Sequence, residues 1–321
     1  MRSSHSGVQL VTHERLADTF ANPSQLAQSW YPIAPATRVR AGRVASFELF
    51  DRRIALYRDR SGHVHALDAR CPHLGADLGQ GTVDGDRLRC AFHGWCFDPD
   101  GACVEARGYA RPPVRRARVY PVQERWGLVW VFNGPSPLFD LPSEGIERRR
   151  ALRLPPQRIR CHPHLVLANG LDLSHYDAVH DLAFSESPEL TAPSPYMVRV
   201  ALRGRPRSPF WCAVTGCARR DIVATFTTIG ASVAWASVTS PIVFDVLFTG
   251  RPDRAGGCVT RTVFLFERPV GLRWLRGLGV MAALLHDDRR VLDSLQFRPQ
   301  FAEHDEALRL YAAVVKRLGS W

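Results

Sequence analysis

The chain has 321 residues, more than one hydrophobic core usually organises, so two domains are expected. Apolar residues make up 45% and charged residues 23%, an ordinary globular balance that excludes a disordered chain. The net charge is +11 and, of the 42 basic residues, only Lys316 is lysine; the surface is positive and favours acidic partners, although an arginine bias alone does not indicate nucleic acid.

The first 27 residues read as a helix followed by a loop at Asn22-Pro23-Ser24, with none of the apolar core of a secretory signal. From Trp30 to about Phe132 short β-like segments follow, at residues 44–50, 54–58, 64–68 and 128–132, divided by Gly, Asp and Pro clusters. Residues 134–137 and 141–145 read as a linker, followed by the basic run Arg148-Arg149-Arg150. A helical segment is expected over 169–180 and alternating strands over 211–215, 221–228, 232–239, 243–249 and 259–266. The tail over 272–318 reads as helix, broken near Arg298-Pro299. The longest small-and-apolar run, 277–285, is far short of a membrane span. The outline is α+β: an N-terminal segment 1–27 packing on the second domain, a β-rich domain over 28–139, and a domain over 140–321 with an antiparallel sheet flanked by helices. The 8 cysteines are sparse for this length, which points to a reducing cytoplasm and to ligands or packing residues rather than bridges.

Cys71-Pro72-His73 and Cys90-Ala91-Phe92-His93-Gly94-Trp95 form a C-x-H, sixteen-residue, C-x-x-H pattern. Two thiolates and two imidazoles on two tight loops can hold one tetrahedral zinc ion. They can equally hold a [2Fe–2S] cluster, with the cysteines on one iron and the histidines on the other. Each loop carries a ligand pair, and the gap holds the turn residues Gly75, Gly79, Gly81 and Gly85, which speaks against chance. The stretch 71–95 resembles the cluster-binding segment of Rieske non-haem iron oxygenases. Respiratory Rieske proteins carry an extra, disulfide-forming cysteine in each loop; the first loop here has only Cys71, so the resemblance is to the oxygenase and ferredoxin type. Neutral imidazole in place of thiolate raises the cluster's potential and suits an electron relay. Cys96, Cys103, Cys161, Cys212, Cys217 and Cys258 read as small buried hydrophobes.

Asp172, His175 and His180 form a D-x-x-H-x-x-x-x-H pattern behind Asn169. Non-haem Fe(II) oxygenases hold iron with two histidines and one carboxylate. Five residues apart on a regular helix, the histidines would point about 140° away from each other, so a break or π-type bulge between them is predicted. A third ligand is offered by Asp288, which falls in an apolar stripe of Leu284, Leu285, Val291, Leu292 and Leu295, with His286, Arg289, Arg290 and Asp293 on or near the polar side. A carboxylate on such a face needs a partner or a metal; Asp287 is the alternative ligand. The resemblance implies that Asn169, Asp172, His175 and His180 stand where the family has its Asn, bridging Asp and two His ligands. It favours Asp288, with Asp293 as a second acid five residues on. It also implies that Asp172 bonds His175 in its own chain and His73 or His93 of a neighbouring subunit, hence a homotrimer or larger ring.

A Gly-rich dinucleotide fingerprint and plant-type ferredoxin cysteine spacing are both absent. A separate NAD(P)H-dependent reductase, with or without a ferredoxin, is therefore implied. Arg107, Arg111, Arg115, Arg116 and Arg118, and the stretch 148–160, are candidate docking surfaces for an acidic donor, and no nucleic-acid pattern is present. Trp211, Phe226, Trp235, Phe244, Phe248 and Phe264 lie on the strands with few ionisable neighbours besides Asp245, which suits an apolar aromatic, polycyclic or steroid-like substrate. Taken together, the resemblance implies an all-β Rieske domain with a [2Fe–2S] cluster and a helix-grip (START-like) domain with mononuclear Fe(II). The implied activity is that of a terminal oxygenase that uses O2 to hydroxylate or oxidatively dealkylate. Desaturation, oxidative cyclisation and plain electron transfer are the alternative activities.

Overall fold

Apolar runs separated by glycine turns build the first half of the chain into short strands. The computed structural model describes residues 26–142, 150–215, 220–253, 256–266, 271–295, 301 and 305–321. The expected N-terminal helix, Arg148, Arg149, Cys217 and the break near Arg298-Pro299 lie outside them. The described residues pack as two units: 28–142 with 150–151, 253 and Trp321, and 26–27 with 152–252 and 256–320.

The first unit is all β. Strands β1 (Trp30–Pro35), β2 (Arg43–Leu49), β3 (Arg52–Arg58), β4 (Val64–Asp68), β5 (Thr82–Asp84), β6 (Arg87–Arg89), β7 (Cys96–Phe97), β8 (Cys103–Glu105), β9 (Val122–Arg125) and β10 (Leu128–Phe132) follow in order. They form three sheets, β1-β10-β9, β2-β3-β4 and β5-β6-β7-β8. β10 is buried along its whole length between β1 and β9, as its unbroken apolar run requires. The two C/H loops follow β4 and β6, and Cys71, Cys90 and Trp95 belong to the same core cluster as Tyr57, Leu67, Leu78, Leu88 and Phe97. The loops are thus anchored at their cysteines.

The second unit is built on a nine-stranded sheet. Its strands are β11 (Arg150–Arg153), β12 (Gln157–Ile159), β13 (Leu182–Phe184), β14 (Glu189–Ser194), β15 (Met197–Pro206), β16 (Ile222–Ile229), β17 (Val233–Ser240), β18 (Phe244–Pro252) and β19 (Cys258–Phe266). The order is β11-β19-β18-β17-β16-β15-β13, with β12 on β19 and β14 on β15. β15 to β19 run as an antiparallel meander, so paired residues share a face: Phe226 with Ala236, and Phe248 with Thr262. Helices α1 (Pro163–Ala168) and α2 (Leu173–Ala178), joined by a 3-10 turn over Asn169–Leu171, lie against that face. A Cβ on Gly250 would meet Pro163, and one on Gly170 would overlap the Phe226 ring. α3 (Pro209–Thr215), α4 (Gly271–Leu292) and α5 (Glu306–Leu318) complete the unit. No helix among the described residues is long and apolar enough to cross a membrane.

Four of the five strands expected in this half appear within a few residues of their expected bounds. The fifth, 211–215, is helix α3 instead. Its apolar run follows Ser208-Pro209, a cap residue and a proline at the first helical position; Cys212 N–H closes the turn on Ser208 O at 2.9 Å. The single helix expected over 169–180 is two helices, because Asp172 turns extended and caps a new start with its side chain on Ser174 N–H. Val291 departs from its expected stripe and is 45% exposed, whereas Leu292 packs with Ile159, Cys161 and Cys258.

Candidate metal centres

The two ligand loops of the first unit share one hydrogen-bond plan. Cys71 N–H donates to Ala76 O and Gly75 N–H to Cys71 O; Cys90 N–H donates to Trp95 O and Gly94 N–H to Cys90 O. Both glycines are left-handed, at φ 80° and 69°, which is why each loop places Gly four residues after its cysteine. The loops bring His73 and His93 together, ring centroids 4.6 Å apart, and His73 stacks on Trp95 at 4.3 Å. Cys71 and Cys90 are 2% and 3% exposed. Burial beside Cys90 pushes the Cys71 thiol up to about 11, so a thiolate persists here only against positive charge. His73 Nδ1 is buried without a hydrogen-bond partner, as a ligand nitrogen awaiting its metal would be. The two cysteines interact with each other and the two histidine rings with each other, a pairing that suits a cluster with the thiolates on one iron and the imidazoles on the other. Leu74 and Phe92 beside the histidines are 67% and 64% exposed and form an apolar rim.

Among the described residues, His175, His180 and Asp288 are the one set of three whose ligand atoms all lie within 4.8 Å of one another. Asp288 Oδ1 is 2.9 Å from His180 Nε2 and 4.0 Å from His175 Nε2. α2 ends at Ala178, and the turn through Val179 leaves His180 beside His175, ring centroids 5.0 Å apart; the left-handed Asp181, φ 52°, then leads the chain away. The predicted break is this helix end, not a π-bulge. His175 Nδ1 donates to Asp172 O at 2.5 Å, which leaves Nε2 as the lone-pair nitrogen. Burial lowers the His175 pKa and so favours the neutral, ligating form. The donor set and its geometry fit a mononuclear iron.

The three groups line a cavity of about 280 Å³, close to the lower end of the range for small-molecule sites. Asn169, Tyr176, Asp287, Trp211, Phe226 and Phe248 line it as well. Tyr176 is a wall residue: its hydroxyl donates to Gly170 O at 3.0 Å and burial raises its pKa. Trp235, Phe244 and Phe264, also expected near substrate, are not lining residues; Trp235 Nε1 instead donates to the buried Asp245 at 2.9 Å.

Residues 29–121 match the model of the Rieske [2Fe-2S] domain. The chain is 36% identical over 157 residues to the 4beta-methylsterol monooxygenase of Methylococcus capsulatus, covering 46% of this chain and 42% of that protein. It is 30% identical over 177 residues to a 3-ketosteroid-9-alpha-monooxygenase oxygenase component of Rhodococcus rhodochrous, covering 52% and 47%. The chain thus carries a Rieske [2Fe-2S] domain over residues 29–121. These alignments span less than half of each relative's length. The fold is that of dicamba monooxygenase, with a TM-score of 0.69 over 92% of this chain and 98% of that one, at 21% identity.

Within the chain, the expected site residues divide clearly. His175, His180 and Asp288 converge. Asp287 lines the cavity but stands outside the ligand set. Asp172 bonds His175 as expected, but through its main-chain oxygen; its carboxylate accepts from Ser174 N–H at 3.0 Å. Asp293 does not face solvent alone: it accepts from Arg160 N–H at 2.9 Å and pairs with Arg289, fastening the end of α4 to the residues after β12. Arg118, one of the docking candidates, lies over the Trp321 ring at 4.4 Å. Gly170, Tyr176 and Gln157 were not foreseen; the one available signal was the glycine beside Asn169, which marks a close approach.

Proposed function

We propose that this chain is the terminal oxygenase component of a multicomponent Rieske system. It would take electrons from a separate NAD(P)H-dependent reductase, with or without a ferredoxin, and use O2 to hydroxylate or oxidatively dealkylate an apolar small molecule. The observation that carries this reading is the His175/His180/Asp288 set opening into an apolar cavity, in a chain that also bears the Rieske loops. Cys71, His73, Cys90 and His93 would hold the [2Fe–2S] cluster, and His175, His180 and Asp288 a ferrous ion. When bound, the cluster supplies single electrons and the ferrous ion supplies the site at which O2 is reduced.

The chain's own residues do the rest. Asp172 O fixes the His175 tautomer, and Asp293 with Arg289 anchors the helix that presents Asp288. Phe226 and Phe248 exclude water from the cavity wall, while Asn169 and Tyr176 shape the wall beside the ligands. The apolar rim of Leu74 and Phe92 suits docking of the cluster loops against another protein surface, in line with a homotrimer in which Asp172 of one subunit meets His73 or His93 of the next. Metal and acid-labile sulfide analysis with EPR on anaerobically purified protein tests the reading. About three irons and two sulfides per chain are expected; zinc without sulfide would overturn it.

A further inference from the structure

We infer that the substrate carries a neutral oxygen, as a hydroxyl or carbonyl, which the Thr262 hydroxyl of β19 binds at one end of the cavity. This rests on the cavity being the oxygenase substrate site and adds the chemistry by which that site selects. Polarity along the cavity is uneven. α4 crosses the sheet from Gly277, against Ile242 and Phe244, to Leu292, against Ile159 and Cys258. On its way it lines the cavity first with Val280, Met281 and Leu284 and then with Asp287, Asp288 and Arg289. The strand residues at this second end include Gln157, Thr260 and Thr262; most of the remaining wall is aliphatic or aromatic, with Asn169, Asp181, Thr225 and Thr249 as further polar lining.

Thr262 pairs with Phe248, so its side chain shares the face of the ring that lies 6.4 Å from Phe226. Thr260, on the same face, spends its hydroxyl on Gln157 O at 3.4 Å. Among the described residues nothing bonds the Thr262 hydroxyl, and it is not sealed from the cavity. A hydroxyl on an apolar wall discriminates strongly, since a ligand lacking a partner for it leaves it unsatisfied.

The charges around it favour a neutral handle. Asp287 and Asp288 line the same end and repel an anion. Arg289 directs its donors to Gln157 Oε1, Arg158 O and Asp293. Arg261, between the two threonines, also lines the cavity, but its side chain leaves on the opposite face of the strand, beside Thr249, and is engaged with a partner there.

The test is calorimetric titration of the holoprotein with propylbenzene, para-propylphenol, para-propylbenzoate and para-propylbenzylamine, with O2 uptake recorded in parallel. The phenol should bind about tenfold more tightly than the hydrocarbon. Thr262→Val should abolish that difference and leave the hydrocarbon's affinity within about twofold, while Thr262→Ser and Thr260→Val keep it. A wild-type protein without the preference, a preference for the benzoate or the amine, or a preference that survives in Thr262→Val overturns the inference. Binding is read apart from turnover. The phenol preference without any ligand-stimulated O2 uptake would sustain the anchor and reject the oxygenase reading.

Discussion

His175 Nδ1 lies 2.5 Å from the main-chain oxygen of Asp172. A carbonyl can only accept, so the proton sits on Nδ1 and the lone pair on Nε2, the nitrogen that faces Asp288. The contact comes from the backbone, and the Asp172 carboxylate is separately occupied in capping α2. One residue thus orients the histidine with its main chain and keeps its side-chain charge for another purpose.

Asp172→Asn separates the two roles. Asparagine caps a helix as well as aspartate does, so α2, the His175 contact and the content of both metals should be preserved. What is lost is the negative charge proposed to link neighbouring subunits. Reoxidation of the reduced cluster by O2 in the presence of substrate should slow by about 10–100-fold, measured by stopped-flow at the cluster's visible absorbance. Normal reoxidation with both sites loaded would exclude a relay through this carboxylate.

Asp288 and Asp287 are adjacent in sequence but differ in role. Only Asp288 reaches the histidines, at 2.9 Å from His180. Asp288→Ala should lower the iron-to-sulfide ratio from about three irons per two sulfides to about two, with the cluster's EPR signal intact. Asp287→Ala should keep the full ratio. The reverse outcome would exchange the two assignments.

Much of this was legible beforehand, for physical reasons specific to each residue. The C/H loops announce themselves because ligation constrains both residue type and spacing. Asp288 stood out because helix periodicity put a carboxylate on an apolar face. The helix over 209–215 was missed because Trp211-Cys212-Ala213-Val214-Thr215 suits either period, and its start signal, Ser208-Pro209, lies outside the apolar run. The Asp172–His175 contact is made by a main-chain atom, which carries no residue signature. Thr262 meets the cavity through the pairing of β18 with β19, a register that no local pattern encodes.

Acid sensitivity should arise in the second unit from His164. It is buried, 2.9 Å from the Tyr311 hydroxyl, and burial holds its pKa well below 6.5. The folded state keeps it neutral, whereas the unfolded chain binds a proton below about 6.5; its contribution is therefore complete above that pH and declines as pH falls. Burial of His175 acts in the same direction. The carboxylate of Asp59, held down to about 2 chiefly by its hydrogen bond with His65, matters only below 3.8. Thermal unfolding of wild type between pH 7 and 5 should thus show a falling Tm, and His164→Gln should reduce the slope without removing it. An unchanged slope would mean that His164 is protonated in the folded protein.

Gly170 is a tight point just before Asp172, the residue that orients the proposed iron ligand His175. A Cβ there would stand 2.4 Å from the Phe226 ring, which is 7% exposed, so the ring or the turn must shift. Gly170→Ala should cost about 1–3 kcal/mol and push the 169–171 turn away from the sheet. That turn leads into Asp172, whose carbonyl sets His175, so mononuclear iron should be lost while the cluster, held in the other unit, is retained. Shortening the opposing side chain relieves the overlap: Gly170→Ala with Phe226→Leu should recover both Tm and iron content relative to Gly170→Ala alone. A double variant as iron-poor as the single one would show that the glycine is required for its backbone conformation and not for its closeness to Phe226.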